Sequence, residues 1–358
     1  MGKNIGLIDV DGHNFPNYAL MKIAAYHKAK GDTVGWADIG SYDRTYLSKI
    51  FTFSPDFAGG LGEYGELIKG GTGYVIASKL PIEIENSKLM DYSLYPQHQY
   101  SVQFLSRGCI RKCPFCLVRE KEGYIQPYEP VELNPQGKWI EVLDNNFFAN
   151  PEWKNSINYL IDTKQKVNLH GVDVRIMNEE QAYWLNKLKL KRNIHIAWDL
   201  PELDLTDKLK EVTKYISAHK IRCYVLVGFN SSIEQDIYRL RRLKELGIAP
   251  FVQPYRDFEN ERKPSQYEKD LARWANKMWT FKSCDFSEFQ PRKGFRCSHY
   301  LNGFEKAKAG GQKKRKRMNA ETYNRSTELR HFLYRMLAVC ALFLMLQSYV
   351  ITFLRHYR

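Results

Sequence analysis

Arg107-Gly108-Cys109-Ile110-Arg111-Lys112-Cys113-Pro114-Phe115-Cys116 is the stretch from which the rest of this chain is read. Three thiolates at C-x3-C-x2-C spacing can hold three corners of a cubane iron–sulfur cluster and leave the fourth iron without a protein ligand. A structural zinc site usually closes with four protein ligands, often as two C-x2-C pairs or one pair with histidines, and no second half follows here. Zinc, or plain burial of three small thiols, is the competing reading. Seven cysteines in 358 residues are few and odd in number for a secreted disulfide framework, so a reducing, cytoplasmic setting fits better. Gly108 and Pro114 supply the backbone freedom and the break that a loop wrapped around metal needs.

Outward from this loop, strand and helix signals alternate. Tyr100–Phe104 reads as the strand feeding the cysteines, followed by Lys138–Leu143, Val167–His170, Asn193–Trp198, Arg222–Val227 and Pro250–Gln253, each separated by a helix-length segment. Six such strands fit a parallel barrel sheet whose ligand site faces the carboxyl ends of the strands. Before them, Asn4–Val10 reads as a strand ending in the turn cluster Asp11–Asn17. A helix with Leu20, Ile23, Ala24 and His27 on one face follows, started at Pro16 or Asn17 and stopped by Gly31. Strands are expected at Thr33–Trp36 and Lys49–Phe53, then a helix-like stretch, the glycine-rich run Lys69–Tyr74 and a polar link over residues 80–97. These signals predict a small parallel α/β, flavodoxin-like layer over residues 1–95, a barrel and its extension over 96–300, and a tail over 301–358.

The cysteine spacing, with aromatic Phe115 just before the last cysteine, resembles the C-x3-C-x-aromatic-C signature of the radical S-adenosylmethionine (SAM) superfamily. The resemblance covers residues 99 to about 258, and its one highly specific element is the cysteine run. It implies a partial barrel of six βα units, with Cys109, Cys113 and Cys116 on a 4Fe-4S cluster. The amino and carboxylate groups of SAM would chelate the open iron, and the reduced cluster would cleave SAM to methionine and a 5′-deoxyadenosyl radical. An external one-electron donor of flavodoxin or ferredoxin type is implied as well.

The same resemblance guides the remaining site residues. Asp144 or Asn145 stands where the family holds the SAM amino group, although the usual Gly-Gly-Glu run is missing and an Asx turn would also account for them. Arg175, with Asp173 beside it, suits the SAM carboxylate or forms a plain ion pair. Asp199 could bind the ribose hydroxyls or cap the turn before Leu200-Pro201. Gly228 ends an apolar strand of the kind that packs on adenine, with Phe251, Val252 and Gln253 as a further wall. Glu234 and Asp236 read as acids opening a helix.

A small α/β layer ahead of such a barrel is similar to the cobalamin-binding arrangement of one branch of the superfamily. Asp11-Gly12-His13 partly matches the D-x-H-x-x-G pattern of some cobalamin proteins, but Pro16 replaces the glycine, so a degenerate layer is the stronger expectation. Cys223 and Cys340 read as buried small hydrophobes, while Cys284 and Cys297 with His299 could serve a second site.

The net charge of +14 is unevenly spread. From Glu305 onward there are twelve Lys or Arg and three acids, a charge of +9, which leaves +5 for residues 1–304. The basic stretch 306–317 and the uncharged 19-residue run Met336–Leu354 suggest nucleic-acid or membrane association of the tail, or a docked helix. No positively charged segment followed by an apolar stretch opens the chain as a secretory signal would. Three rival functions remain open from sequence. They are a cobalamin-dependent radical methyltransferase, a methylthio-transferring enzyme acting on transfer RNA, and a non-enzymatic metal-binding nucleic-acid or membrane adaptor. The methylthio reading needs further cluster cysteines, and residues 1–108 contain none. The substrate is not legible.

Overall fold

The computed structural model describes residues 2–258 and 260–301. Its first layer is a sheet of β1 (Asn4–Asp9), β2 (Thr33–Trp36), β3 (Arg44–Ser48) and β4 (Glu66–Gly70) in the order β2-β1-β3-β4, with every pair parallel. Helix α1 (Tyr18–Ala29) covers it. Asn17 starts α1: its Oδ1 accepts from the Leu20 N–H at 3.2 Å, and its Nδ2 donates to Ser48 Oγ at 2.9 Å, tying the helix start to the end of β3. Gly31 ends the turn at φ +85°, a conformation side chains resist.

Two expectations for this layer are corrected. The third strand is Arg44–Ser48 and not Lys49–Phe53, because pairing with β1 from Ile5↔Arg44 to Asp9↔Ser48 uses up the ladder. Beyond it, the Ile50 and Phe51 N–H groups donate to the Asp11 carboxylate instead of a neighbouring strand. The helix-like stretch before the glycines contains β4, an edge strand whose polar residues hid it; Glu66, Leu67 and Lys69 are exposed.

Asp9, at the carboxyl end of β1, accepts from the Tyr95 hydroxyl at 2.7 Å. Burial pushes its carboxyl up from 3.8 to about 7, the nearby Asp11 adding to the shift and the Tyr95 hydrogen bond opposing it. The folded state therefore binds this proton more tightly than the unfolded chain. The stability it contributes is fully present below about pH 4 and lost as the pH rises through about 7. Asp9→Asn keeps an acceptor for Tyr95 without the charge. Thermal unfolding should show the variant more stable at pH 8 by about 1 kcal/mol, roughly 2–4 °C, with no gain below pH 4. Equal shifts at both pH values would remove the buried charge as the cause.

The second layer opens with α2 (Ile82–Glu85), β5 (Ser101–Gln103), β6 (Ser106–Arg107), α3 (Val118–Lys121) and β7 (Gln126–Pro127). Then strands and helices alternate: β8 (Trp139–Val142), α4 (Trp153–Asp162), β9 (Lys166–Leu169), α5 (Glu179–Lys187), β10 (Ile194–Ala197), α6 (Thr206–Tyr215), β11 (Ile221–Val227), α7 (Ile233–Glu245), β12 (Ala249–Pro254), α8 (Gln266–Ala275) and α9 (Met278–Ser283). Each of the six expected strands is present with its ends moved by one residue at most. They form two parallel sheets, β5-β8-β9 and β10-β11-β12, joined between β9 and β10 by the single parallel bridges Val167↔Leu190 and Val172↔Ile196. Neighbouring strands thus follow chain order, and their carboxyl ends lie on one side.

The helices form because apolar residues recur at three- and four-residue spacing: α4 buries Ile157 and Leu160, and α7 buries Ile237, Leu240 and Leu243. Capping boxes start α5 (Asn178 with Gln181), α7 (Ser232 with Gln235) and α8 (Ser265 with Glu268). Asp236 therefore does not simply open α7; it is buried and pairs with Arg239 at 2.7 Å. One apolar core, including Trp198, Trp274 and Phe286, lies between these sheets and helices. A second joins β1 and α1 to Tyr100, Val102 and Phe104 around β5, so the two layers share packed side chains. Residues 306–317 and Met336–Leu354 lie outside the described residues. Among the described residues no helix is long and apolar enough to cross a membrane.

Candidate functional site

β6 and β7 pair antiparallel and clamp the loop between them, which carries the three cysteines. Gly108 is required at its start: φ is +84°, and a Cβ there would sit 2.4 Å from the Tyr124 carbonyl oxygen. Its N–H donates to Glu122 Oε2 at 2.8 Å, and the Cys109 N–H to the Gly123 carbonyl at 3.3 Å. Glu122 also pairs with Arg107 at 2.8 Å and accepts from Asn145 Nδ2 at 3.0 Å. One buried carboxylate thus ties the cysteine loop to the segment after β8. Sequence reading missed this residue, which looks like any acid of a surface helix.

Cys109, Cys113, Phe115 and Cys116 line a single cleft together with Asn145, Arg175 and Asp199, as the sequence grouped them. The cleft takes in about 1110 Å³ with its open mouth included. It lies among segments that leave the carboxyl ends of β8, β9 and β10, the usual ligand position in parallel sheets. The six cysteines in the described part are free thiols. Burial pushes Cys116 up to about 12 and raises Cys113 as well, with Arg175 opposing the latter. Phe115 packs with Leu226 and Tyr255 and meets Phe229 edge-on at 5.8 Å, so it is a wall of the cleft and part of a small apolar cluster.

Other expected residues are placed differently. Asp144 lies fully buried beneath the cleft; its carboxylate accepts from the Leu105 N–H at 2.8 Å and the Ser106 hydroxyl at 2.6 Å, and burial pushes it up to about 6. Of the pair, Asn145 is the residue lining the cleft. Arg175 presents its Nε and Nη2 to Asp173 at 2.6 and 3.0 Å, so that edge of its fork is already taken, and Arg111 reaches the same carboxylate at 3.0 Å. These partners hold Asp173 below its ordinary value although burial opposes them. Asp199 accepts from the Leu226 N–H at 2.9 Å and bridges β10 to β11 instead of capping a helix; burial raises it to about 6. Gly228, at φ +79°, faces Glu268 and Arg262, where a Cβ would come within 2.5 and 2.7 Å, and does not line the cleft.

Asn146, His170 and His195 line the cleft and were given no role from sequence. For His170 and His195 the signal was legible: polar residues at alternate positions in or just after otherwise apolar strands; Asn146, in the loop after β8, gave none. Among the described residues no three His, Cys, Asp or Glu side chains are grouped to hold a metal ion. Cys297 is buried, Cys284 half-buried, and His299 exposed with its Nδ1 on the Arg296 carbonyl at 2.8 Å. In the first layer the His13 ring stacks on Trp36 at 4.1 Å, while the Asp11 carboxylate accepts from Ile50, Phe51 and Ser54. The Asp–His pairing of a cobalamin site is not formed. No protein-family profile matches this chain, and no curated protein matches it in sequence.

Proposed function

We propose that the cleft holds a 4Fe-4S cluster on Cys109, Cys113 and Cys116 with SAM beside it, making the protein a radical SAM enzyme whose substrate is unidentified. The observation that carries this reading is that the three thiols line one cleft and, among the described residues, share it with no fourth cysteine. A closed structural zinc site needs four donors around one ion, whereas thiolates on a cubane bind separate irons and stand further apart. The chain-ordered parallel strands of the two sheets support reading them as a partial six-stranded barrel with the cleft at its carboxyl-terminal face.

The donor set fits the cofactors. Asn145 Oδ1 and Asn146 Oδ1 are buried acceptors without a partner, suited to the ammonium of SAM. Arg175 and Arg111 bring positive charge for its carboxylate, and Asp199 can accept from ribose hydroxyls. Phe115 and Leu226 offer an apolar wall for adenine. When bound, the reduced cluster supplies the electron that cleaves SAM and yields a radical able to abstract hydrogen. The chain's own share is to orient SAM and exclude water. An external flavodoxin- or ferredoxin-type donor would supply the electron.

Anaerobic reconstitution with iron and sulfide tests the reading. About four irons per chain should be taken up. The reduced protein should give a paramagnetic signal that changes when SAM is added, and 5′-deoxyadenosine should form. Uptake of one zinc ion, with iron rejected, would overturn it. Glu122→Gln should weaken iron retention about 10–100-fold in a chelator challenge, since it loosens the loop behind the ligands without removing one. Retention equal to wild type would show that the loop holds its shape without this carboxylate.

A further inference from the structure

Below the thiols, inward-facing polar residues on adjacent strands make a second constellation. Glu141 on β8, His170 just after β9 and His195 on β10 are each at most 7% exposed. Both histidines line the cleft. Glu141 Oε1 accepts from Trp139 Nε1–H at 2.6 Å, and Oε2 accepts from Asn168 Nδ2 and from His170 Nε2, each at 2.8 Å. His170 Nδ1 lies 3.0 Å from His195 Nδ1.

The proton positions follow from these contacts. Glu141 is held below its ordinary value by the hydrogen bonds from His170, Trp139 and Asn168, which outweigh burial, so it is an acceptor and His170 carries hydrogen on Nε2. Two facing Nδ1 atoms at hydrogen-bond distance need one proton between them. Either neutral His170 accepts from His195 Nδ1–H, leaving His195 Nε2 bare, or His170 is an imidazolium that donates to His195, whose Nε2 then carries hydrogen. The second state holds one proton more than the first: a proton taken up at His195 Nε2, with the Nδ1 proton passing to His170, converts the first into the second.

We propose that His195 is an acid–base catalyst for a molecule bound in the cleft that presents a hydroxyl or amine hydrogen, with His170 and Glu141 behind it as the proton store. The substrate X–H bond breaks and its proton goes to His195 Nε2, the electron pair staying on X. The Nδ1 proton of His195 passes to His170 Nδ1, leaving an imidazolium on the Glu141 carboxylate. The reverse sequence returns the proton, and no oxidant or reductant is involved.

The surroundings suit this role. Burial above all, then the charges of His170, Arg222 and Arg192, pushes His195 down to about 3, so it relays a proton and does not keep it as a second imidazolium. Of the other carboxylates at the cleft, Asp173 is engaged by Arg111 and Arg175, and Asp199 has one oxygen, Oδ1, on the Leu226 N–H. Independently, Gln253 lines the same cleft with a buried Nε2 that has no partner, which calls for a polar ligand there. None of the hydrogen bonds in the relay involves a cysteine, so the inference goes beyond the radical reading and stands or falls apart from it.

Ring-nitrogen NMR of the full chain labelled with 15N-histidine, without added metal or SAM, tests it, with His195→Gln and His170→Leu spectra assigning the signals. At pH 8 His195 should show a bare Nε2 and a protonated Nδ1, and diethyl pyrocarbonate should acylate that Nε2. On acidification the pair should take up one proton, not two, both rings changing at a shared midpoint. In His170→Leu the shared midpoint should be lost. Hydrogen on His195 Nε2 at pH 8, failure of the reagent to reach it, separate midpoints, or no change before unfolding would each overturn the proposal. Where a variant fails to fold, peptide mapping of the diethyl pyrocarbonate adducts on the wild type still reads His195, and an unmodified His195 there overturns the proposal.

Discussion

Cys113→Ala is expected to lose iron and 5′-deoxyadenosine formation together, by at least about 100-fold, because removing a direct ligand exceeds the 10–100-fold cost of altering its supports. Two thiolates cannot hold three corners of a cubane. The buried thiols matter here. Burial favours their protonated forms, so metal binding must displace protons, and iron uptake by the wild type should release acid. Cys297→Ala is the control. It removes a buried thiol of the apolar core, so it should lower stability while retaining iron. Equal loss of iron from both variants would mean that unfolding, and not ligation, explains the first result. Iron and product unchanged in Cys113→Ala would remove the cysteine loop from the chemistry.

Arg239→Leu is expected to destabilise the fold by about 3–5 kcal/mol, since it strands a buried charge. Arg239 is 1% exposed and makes four hydrogen bonds: Nη2 to Asp236 Oδ1 at 2.7 Å, Nη1 to the Trp198 carbonyl at 2.6 Å, Nη2 to the Leu226 carbonyl at 2.9 Å and Nε to the Gln235 carbonyl at 3.4 Å. Without it, the Asp236 carboxylate loses its cation and keeps neutral donors such as the Tyr267 hydroxyl, and the Trp198 and Leu226 carbonyls beside the cleft lose a donor. The unfolding temperature should fall by about 10 °C. Adding Asp236→Leu should cost less than the sum of the two single changes, because the second substitution removes the stranded charge. A loss under about 1 kcal/mol in Arg239→Leu would show that water replaces the guanidinium. The site should suffer with the fold, since Trp198, Asp199 and Leu226 all line the cleft.

Local pattern carried much of the architecture. The strands over residues 101–103, 139–142, 166–169, 194–197, 221–227 and 249–254 were legible because apolar residues, in runs or alternating with polar ones, recur in short segments bounded by turn signals. Edge strand β4 was not, since a strand with little buried surface lacks that pattern. Strand β3 was displaced because Ile50 and Phe51 are apolar and buried yet hydrogen-bond to a side chain. Of the residues grouped from sequence, Cys109, Cys113, Phe115, Cys116, Asn145, Arg175 and Asp199 line one cleft, while Asp144 and Gly228 do not, because which way a residue faces after a strand ends depends on what packs behind it.

The sequence alone determined the spacing of three thiols on one loop and the alternation that makes parallel strands, because both are set by residues a few positions apart. Only the tertiary structure decided which polar groups are already spent and which meet. His170 and His195 come from neighbouring strands, as do Asp199 and the Leu226 N–H. Such pairings arise from strand register, which sums many weak contacts across the sheet and leaves no local trace.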